Sequence, residues 1–311
     1  MKKTILLCGH TSFAAQGLVD VLRDAGHEVI CYSRGSTCIE GDVVHGPIVD
    51  IERNPHLQRP FDIIINYILL KNESITENIE FMRSIVRLCK QTKTSHLIQI
   101  SSVSVYRSSV KRVTEDSEVE VNPQKVGSYA ALKLAVENDL VDFVSKEINL
   151  SLIRPGFILG KGLSDPLIAA GVRTPLNTLL VLGNGNTQMP LISRDDLNQG
   201  ISEIVSSPPL GTERLLMVSR HSPTKKSYLK ACNRILGLGH RTDSLPIFAW
   251  KFSGLAGEIV SRAIGKGDKR VFAKILALCV NQTFDPSRTE KRIGFLFAAD
   301  WESQLKSSFE H

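Results

Sequence analysis

The chain has 311 residues, 42% of them apolar, with a formal net charge of +6 and a pI of about 9.0. That length and apolar share suit one large α/β domain with a smaller appended part, and they exclude a disordered chain. No apolar run approaches the roughly 20 residues of a membrane-spanning helix; the dispersed basic residues and few aromatics argue against nucleic acid, leaving an anionic membrane or phosphorylated small molecules as partners.

The six cysteines, Cys8, Cys31, Cys38, Cys89, Cys232 and Cys279, form no Cys-x-x-Cys pair, and the eight histidines form no ligand spacing. A reducing, cytoplasmic setting without a dedicated metal site is expected. Met1-Lys2-Lys3 and the apolar residues after it resemble a secretion signal, but the run stops at Gly9. A signal needs roughly 7–15 apolar residues, so a first strand is the expectation. Residues 4–31 read as strand Thr4–Cys8, a turn opening at Gly9, a helix to Ala25 and a strand His27–Cys31, which together make a βαβ unit. The second strand runs into Tyr32-Ser33-Arg34-Gly35, and Gly46–Ile51 is the expected short third strand. Phe61–Ile68 is a continuous apolar run, as in a buried parallel strand. A helix is expected from Asn78 to Gln91, with Ile79, Met82, Ile85, Val86 and Cys89 on its apolar face. The strand-like run from His96 then ends in the hydroxyl residues Ser101 and Ser102.

The stretch Gly127–Glu137 is rich in alanine and leucine and reads as helix. Tyr129 and Lys133, four apart, share one face, and a cation there is expected to lower the phenol's pKa from its usual value of about 10. Glu137 repeats the same step and reads as half of an exposed helix ion pair. Leu150–Gly160 is a further strand, broken by Arg154-Pro155-Gly156. Beyond residue 161 loops and short helices intervene, and Asp195 and Asp196 favour the N-terminus of a helix. Pro246–Val280 alternates apolar residues with Lys251, Arg262, Lys266, Lys269, Arg270 and Lys274, either a basic membrane-facing surface or packed helices with a solvated face. Thr283–Arg288 and Ile293-Gly294-Phe295 form a closing strand-like piece ahead of a terminal helix.

In this order the segments resemble the extended short-chain dehydrogenase/reductases, the NAD(P)-dependent epimerase/dehydratase group that modifies nucleotide sugars, over most of the chain. The resemblance implies a doubly wound parallel sheet of Rossmann type. Residues 1–160 would form the NAD(P)-binding core, and 161–311 would complete it and form a substrate lobe. The family's Gly-x-x-Gly-x-x-Gly turn is here Gly9, Ser12 and Ala15. It implies cofactor contacts at Gly9, Thr11, Ser12, Phe13 and Ala14, with the Ser12 hydroxyl offered to phosphate. Ser33 and Arg34 stand where NAD-preferring relatives carry a carboxylate, so NADP(H) is favoured over NAD(H). Asp50 would meet adenine, and Tyr129, Lys133, Pro155 and Gly156 would surround the nicotinamide ribose. Tyr129 would be the general acid/base, Lys133 its cationic partner, and Ser102 the hydroxyl that orients the reacting oxygen.

Val103 and Ser104 replace the Asp-Glu pair of the 4,6-dehydratases, which counts against dehydration. Met189 occupies the place of an arginine that meets a diphosphate, leaving Lys161, Arg173 and Arg194 as substitutes, while Ile68 and Leu69 replace smaller residues beside the cofactor. The expected function is a reductase or epimerase on a nucleotide-linked sugar, with cell-surface polysaccharide synthesis as one setting. A ketone reductase on a non-sugar hydrophobic substrate and a non-catalytic dinucleotide-binding regulator stay open. The expected partner is a phosphorylated small molecule, and a homodimer is one possible assembly.

Overall fold

A computed structural model of the chain describes residues 1–122, 127–144, 147–168, 170–174, 176–181, 183–244 and 281–310. The basic stretch Pro246–Val280 lies outside the described residues. The strands are β1 (Thr4–Cys8), β2 (Glu28–Arg34), β3 (Cys38–Glu40), β4 (Val43–Gly46), β5 (Ile63–Asn66), β6 (His96–Ile100), β7 (Arg112–Val113), β8 (Asn149–Pro155), β9 (Phe157–Leu159), β10 (Gly171–Arg173), β11 (Thr178–Val181), β12 (Leu191–Ser193), β13 (Thr212–Met217), β14 (Arg241–Ser244) and β15 (Thr283–Phe284). The α-helices are α1 (Leu18–Asp24), α2 (Ile75–Gln91), α3 (Ser128–Phe143), α4 (Arg194–Ser206), α5 (Lys225–Ile235), α6 (Ser287–Ile293) and α7 (Trp301–Ser307).

Eight strands form the central sheet in the order β13-β8-β6-β5-β1-β2-β4-β3, parallel throughout except for the antiparallel edge strand β3. The central strands are apolar at successive positions because both faces are covered. Leu7 and Ile65 pack with Leu18, Leu22, Leu197 and Ile201 of α1 and α4. Leu6 and Ile64 pack on the other side with Ile85, Cys89, Val136 and Leu140 of α2 and α3. The sheet is therefore the doubly wound one expected. Its order reverses at β1, flanked by β2 and β5, and open α/β sheets bind ligands at the carboxyl edge of such a switch point.

Three local expectations need correction. The third parallel strand is β4, Val43–Gly46, rather than Gly46–Ile51. Helix α2 begins earlier than Asn78, at a capping box between Ser74 and Glu77. Asn78 lies buried inside it, and its amide group bonds both the N–H and the carbonyl of Leu70. The helix after the first glycine turn is interrupted: Phe13–Ala15 is a 3-10 turn, Gly17 follows with φ of +81°, and α1 starts only at Leu18. The Asn198 amide, from α4, donates to the Gln16 carbonyl beside this break (2.9 Å).

Strand β13 extends the central sheet beside β8, so a segment distant in sequence lies next to the strand that carries Arg154 and Pro155. A second core gathers Leu179 and Val181 of β11, Met189, Leu191, and Tyr228 and Leu229 of α5. Strand β15 pairs with β7, fixing the closing segment against the loop that leads towards α3. Among the described residues no helix is long and apolar enough to cross a membrane.

Candidate active site

Helix α3 presents Tyr129 and Lys133 one turn apart, and the end of β6 meets them. The Lys133 side chain is only 4% exposed, and its Nζ donates to the Ile100 carbonyl at 2.7 Å. The same Nζ lies 5.9 Å from the centre of the Tyr129 ring. Burial pulls the lysine's pKa down to about 8, opposed by the Glu137 carboxylate and assisted by Lys71. Tyr129 is 44% exposed as a residue, yet protein packed around its hydroxyl pushes the phenol pKa up, and the Ser102 hydroxyl pulls it back. The phenol therefore holds its proton, and the group that pulls its pKa down is the Ser102 hydroxyl rather than the Lys133 charge that the sequence predicts. Ser102 Oγ accepts from the Ser104 N–H (3.2 Å) and the Ser104 hydroxyl (3.0 Å). Its own proton is left to donate to an oxygen placed beside Tyr129.

The dinucleotide-type turn lies where β1 ends. Gly9 has φ of +83°, and a Cβ there would stand 3.0 Å from Cγ1 of Ile68, so only glycine fits. Ile68 thus closes directly over the turn. The turn is held by Ser12 N–H on the Gly9 carbonyl (3.0 Å) and Ala15 N–H on the Ser12 carbonyl (2.9 Å). Ser12 Oγ and His10 Nδ1 are buried there without a hydrogen-bond partner. Buried polar atoms are seldom left unpaired, so these two fit a polar ligand such as a dinucleotide phosphate. Thr11 is exposed at the same turn, with Phe13 and Ala14 half-buried.

Ser33 and the exposed Arg34 end β2, with Arg34 opposite Gly46 of β4. Pro155 ends β8, and the Gly156 N–H bonds the Met217 carbonyl at 3.0 Å. A Cβ on Gly156 would come within 2.4 Å of the Pro190 carbonyl oxygen, so two backbones cross here because this residue is glycine. Asp50 falls outside this pattern. It lies four residues beyond the end of β4 with φ of +63°, its carboxylate paired to Arg53 at 3.3 Å.

Met189 is buried among the second core's apolar side chains. Lys161 and Arg173 are exposed. Arg194 stacks on Phe13 (5.3 Å) and donates to Gln16 Oε1 (2.6 Å) and to the Lys161 carbonyl (2.9 Å), which ties it to the dinucleotide-type turn. Asp196 does more than favour a helix terminus: it accepts from the Ala298 N–H (2.9 Å), and burial raises its pKa.

Glu137 corrects the expectation of an exposed ion pair. It is buried, and its carboxylate takes two hydrogen bonds from Arg154, Nε at 3.1 Å and Nη2 at 2.5 Å. The Arg154 guanidinium, 1% exposed, also stacks over the Tyr106 ring at 4.7 Å. This pair joins the helix bearing Tyr129 and Lys133 to the strand that ends at Pro155. The four-residue repeat Tyr129, Lys133, Glu137 signalled a shared face, but not that the face was inward. His10 and His45, near the end of β2, also escaped the sequence reading, since isolated histidines carry no spacing signal.

The family model for the NAD dependent epimerase/dehydratase family matches residues 5–214. No curated protein matches the sequence. Among solved structures, the crystal structure of gox2253 is similar at 17% identity, over 98% of this chain and 96% of that one, with a TM-score of 0.75. UDP-glucose 4-epimerase from Bifidobacterium longum, in complex with NAD+ and UDP, is similar at 17% identity over 98% and 96%, with a TM-score of 0.68. Human epimerase family protein SDR39U1 (isoform 2), with NADPH, is similar at 18% identity over 99% and 100%, with a TM-score of 0.66. With the family model spanning the glycine turn, the Tyr129 helix and the Pro155 strand, this chain belongs to the NAD-dependent epimerase/dehydratase family.

Proposed function

We propose that the protein is an NADP(H)-favouring reductase or epimerase that acts at a carbinol or ketone carbon of a nucleotide-linked sugar in the cytoplasm. The observation that carries the chemistry is the convergence of Ser102, Tyr129 and Lys133 at the carboxyl end of β6. Bound NAD(P) supplies the hydride acceptor or donor at such a site. In the reductive direction Tyr129, kept protonated by its surroundings, would give its proton to a ketone oxygen and become phenolate; in the reverse direction that phenolate would take the proton from the carbinol. Ser102 donates to the same oxygen, and Lys133 brings positive charge to the site and a donor for the cofactor's ribose. Gly9, Thr11, Ser12, Phe13 and Ala14 would hold the pyrophosphate, Ser33 and Arg34 the adenosine end, and Pro155 and Gly156 the nicotinamide side. Residues 161–311 would form the substrate lobe as well as supplying β13.

The substrate class is supported by the similar epimerase that holds UDP beside NAD+. The cofactor preference rests on the hydroxyl and guanidinium at Ser33 and Arg34, which suit a 2′-phosphate better than a bare ribose. Because Met189 is buried in the second core, no arginine stands at that position to grip a diphosphate, and this favours reduction of a hydrophobic ketone as the second reading.

Mass spectrometry of cofactor released from fresh protein, paired with NADPH and NADH titrations, separates the readings. Retained NAD(H) indicates an internal redox cycle and an epimerase; an exchangeable site preferring NADPH indicates a reductase. Binding of neither would refute the enzyme reading. Tyr129→Phe should abolish turnover while leaving cofactor affinity within about twofold, because it removes only the transferable proton.

A further inference from the structure

Two amide side chains break the apolar runs of β5 and β6. Asn66 ends β5, Gln99 stands one residue before the end of β6, and the two are register partners, both buried. They share one face of the sheet, the face that α2 and α3 cover, where Asn66 Nδ2 also lies 3.1 Å from Met82 Sδ. Amides buried in such a place cost stability unless their donors and acceptors are used. Here they are used in one orientation only. The Ile68 N–H can only donate, and it donates to Asn66 Oδ1 (3.1 Å). That turns Asn66 Nδ2 towards the Ile68 carbonyl (3.3 Å) and Gln99 Oε1 (2.8 Å). Gln99 Nε2 is thereby aimed at the Ile100 carbonyl (3.0 Å), the same oxygen that receives Lys133 Nζ at 2.7 Å. Ile100 lies beyond the last register pair of β6 with β5, so side chains take the place of a strand partner for its carbonyl. A single line of hydrogen bonds thus runs from Ile68, which closes over the Gly9 turn, to the ammonium group of the site.

We propose that Asn66 and Gln99 are positioning residues for Lys133: the amide pair fixes the Ile100 carbonyl, and through it the ammonium group, relative to the dinucleotide turn. The inference rests on the reading that Lys133 donates to the cofactor's ribose. An ammonium has three protons to donate, and Ile100 takes one. A carbonyl held between two donors anchors that charge without neutralising it, whereas a carboxylate in the place of Gln99 would pair with it. Neither amide titrates, so the anchor keeps the same form at every working pH.

The test is a double-mutant cycle on dinucleotide affinity, read by titration of NADPH and of NADH. Lys133→Met should weaken both about tenfold, the loss of one hydrogen bond from a charged donor. Gln99→Met keeps most of the side chain's volume and removes its amide; it should weaken both cofactors about threefold and by the same factor, because the nicotinamide ribose is common to them. In the Lys133→Met background Gln99→Met should change affinity no further, since a residue that acts through Lys133 has nothing left to position. Asn66→Leu releases the Gln99 amide from its anchor and should match Gln99→Met, so either variant carries the cycle should the other fail to fold. Thermal midpoints measured without cofactor keep loss of folding apart from loss of binding. Losses as large without Lys133 as with it would make the amide pair merely structural and overturn the inference, as would natural affinity in Gln99→Met and Asn66→Leu; both results leave the Lys133 reading standing. A natural protein that binds neither dinucleotide, or a Lys133→Met protein that binds both as the natural one does, would overturn that reading and this inference with it.

Discussion

Replacing Glu137 by glutamine tests whether the buried pair behind the active site holds the two site-bearing elements together. The substitution keeps shape and removes the charge that Arg154 faces. Arg154 is 1% exposed, its Nη1 is already without a partner, and the carboxylate supports its protonated form. Guanidinium cannot discard its proton at accessible pH, so the variant must carry an uncompensated cation in the core. Removing one partner of a buried pair costs about 3–5 kcal/mol, a large part of the roughly 5–15 kcal/mol that stabilises a domain. The stack on Tyr106 remains and offsets about 1–2 kcal/mol at most. Arg154→Met should cost a similar amount because it leaves the Glu137 carboxylate buried. The double variant Glu137→Gln/Arg154→Met should cost much less than the sum, since neither charge then remains. Guanidinium denaturation at pH 7.5, with unchanged m-values, reads all three. Single variants costing under about 1 kcal/mol, or a double variant equal to the sum, would refute the argument.

The same carboxylate raises the pKa of Lys133, which burial holds at about 8. A step that needs the Lys133 charge should decline as pH rises through about 8, and in Glu137→Gln that limb should move to lower pH; turnover–pH profiles of both proteins measure it. His96, 1% exposed, has its pKa lowered to about 3 by burial, whereas the unfolded chain takes up its proton near 6.5. The folded state thus binds fewer protons between those values, so stability is constant above about pH 6.5 and falls below it, by about 2 kcal/mol at pH 5. Denaturation midpoints at pH 7.5 and 5 for the natural protein and His96→Gln check this, and an equal acid loss in both would reject it. Gly156→Ala forces a Cβ to within 2.4 Å of the Pro190 carbonyl oxygen. It should lower stability by about 2–3 kcal/mol and weaken cofactor binding together with it; a thermal midpoint within 1–2 °C of the natural protein's would show that the crossing has room to relax.

What the sequence determined by itself is what depends on local periodicity. The apolar runs at Thr4–Cys8 and Ile63–Asn66 are strands because a parallel sheet covered on both faces has no polar side to alternate with. Tyr129 and Lys133 meet because four residues make about one helical turn, wherever the helix lies. The tertiary structure decided which faces turn inward and which distant segments adjoin. Glu137 follows the same repeat as Lys133, yet its burial depends on Arg154, contributed by another element 17 residues later. The third parallel strand sits at Val43–Gly46 because its pairing partner is Cys31–Arg34, and no feature of Gly46–Ile51 announces that register. The helix after Gly9 gives way at Gly17, where Asn198 of a remote helix takes up the Gln16 carbonyl. His45 gains its place beside Ser33 in the same way, through strand pairing, which joins backbones with little regard to the side chains it brings together.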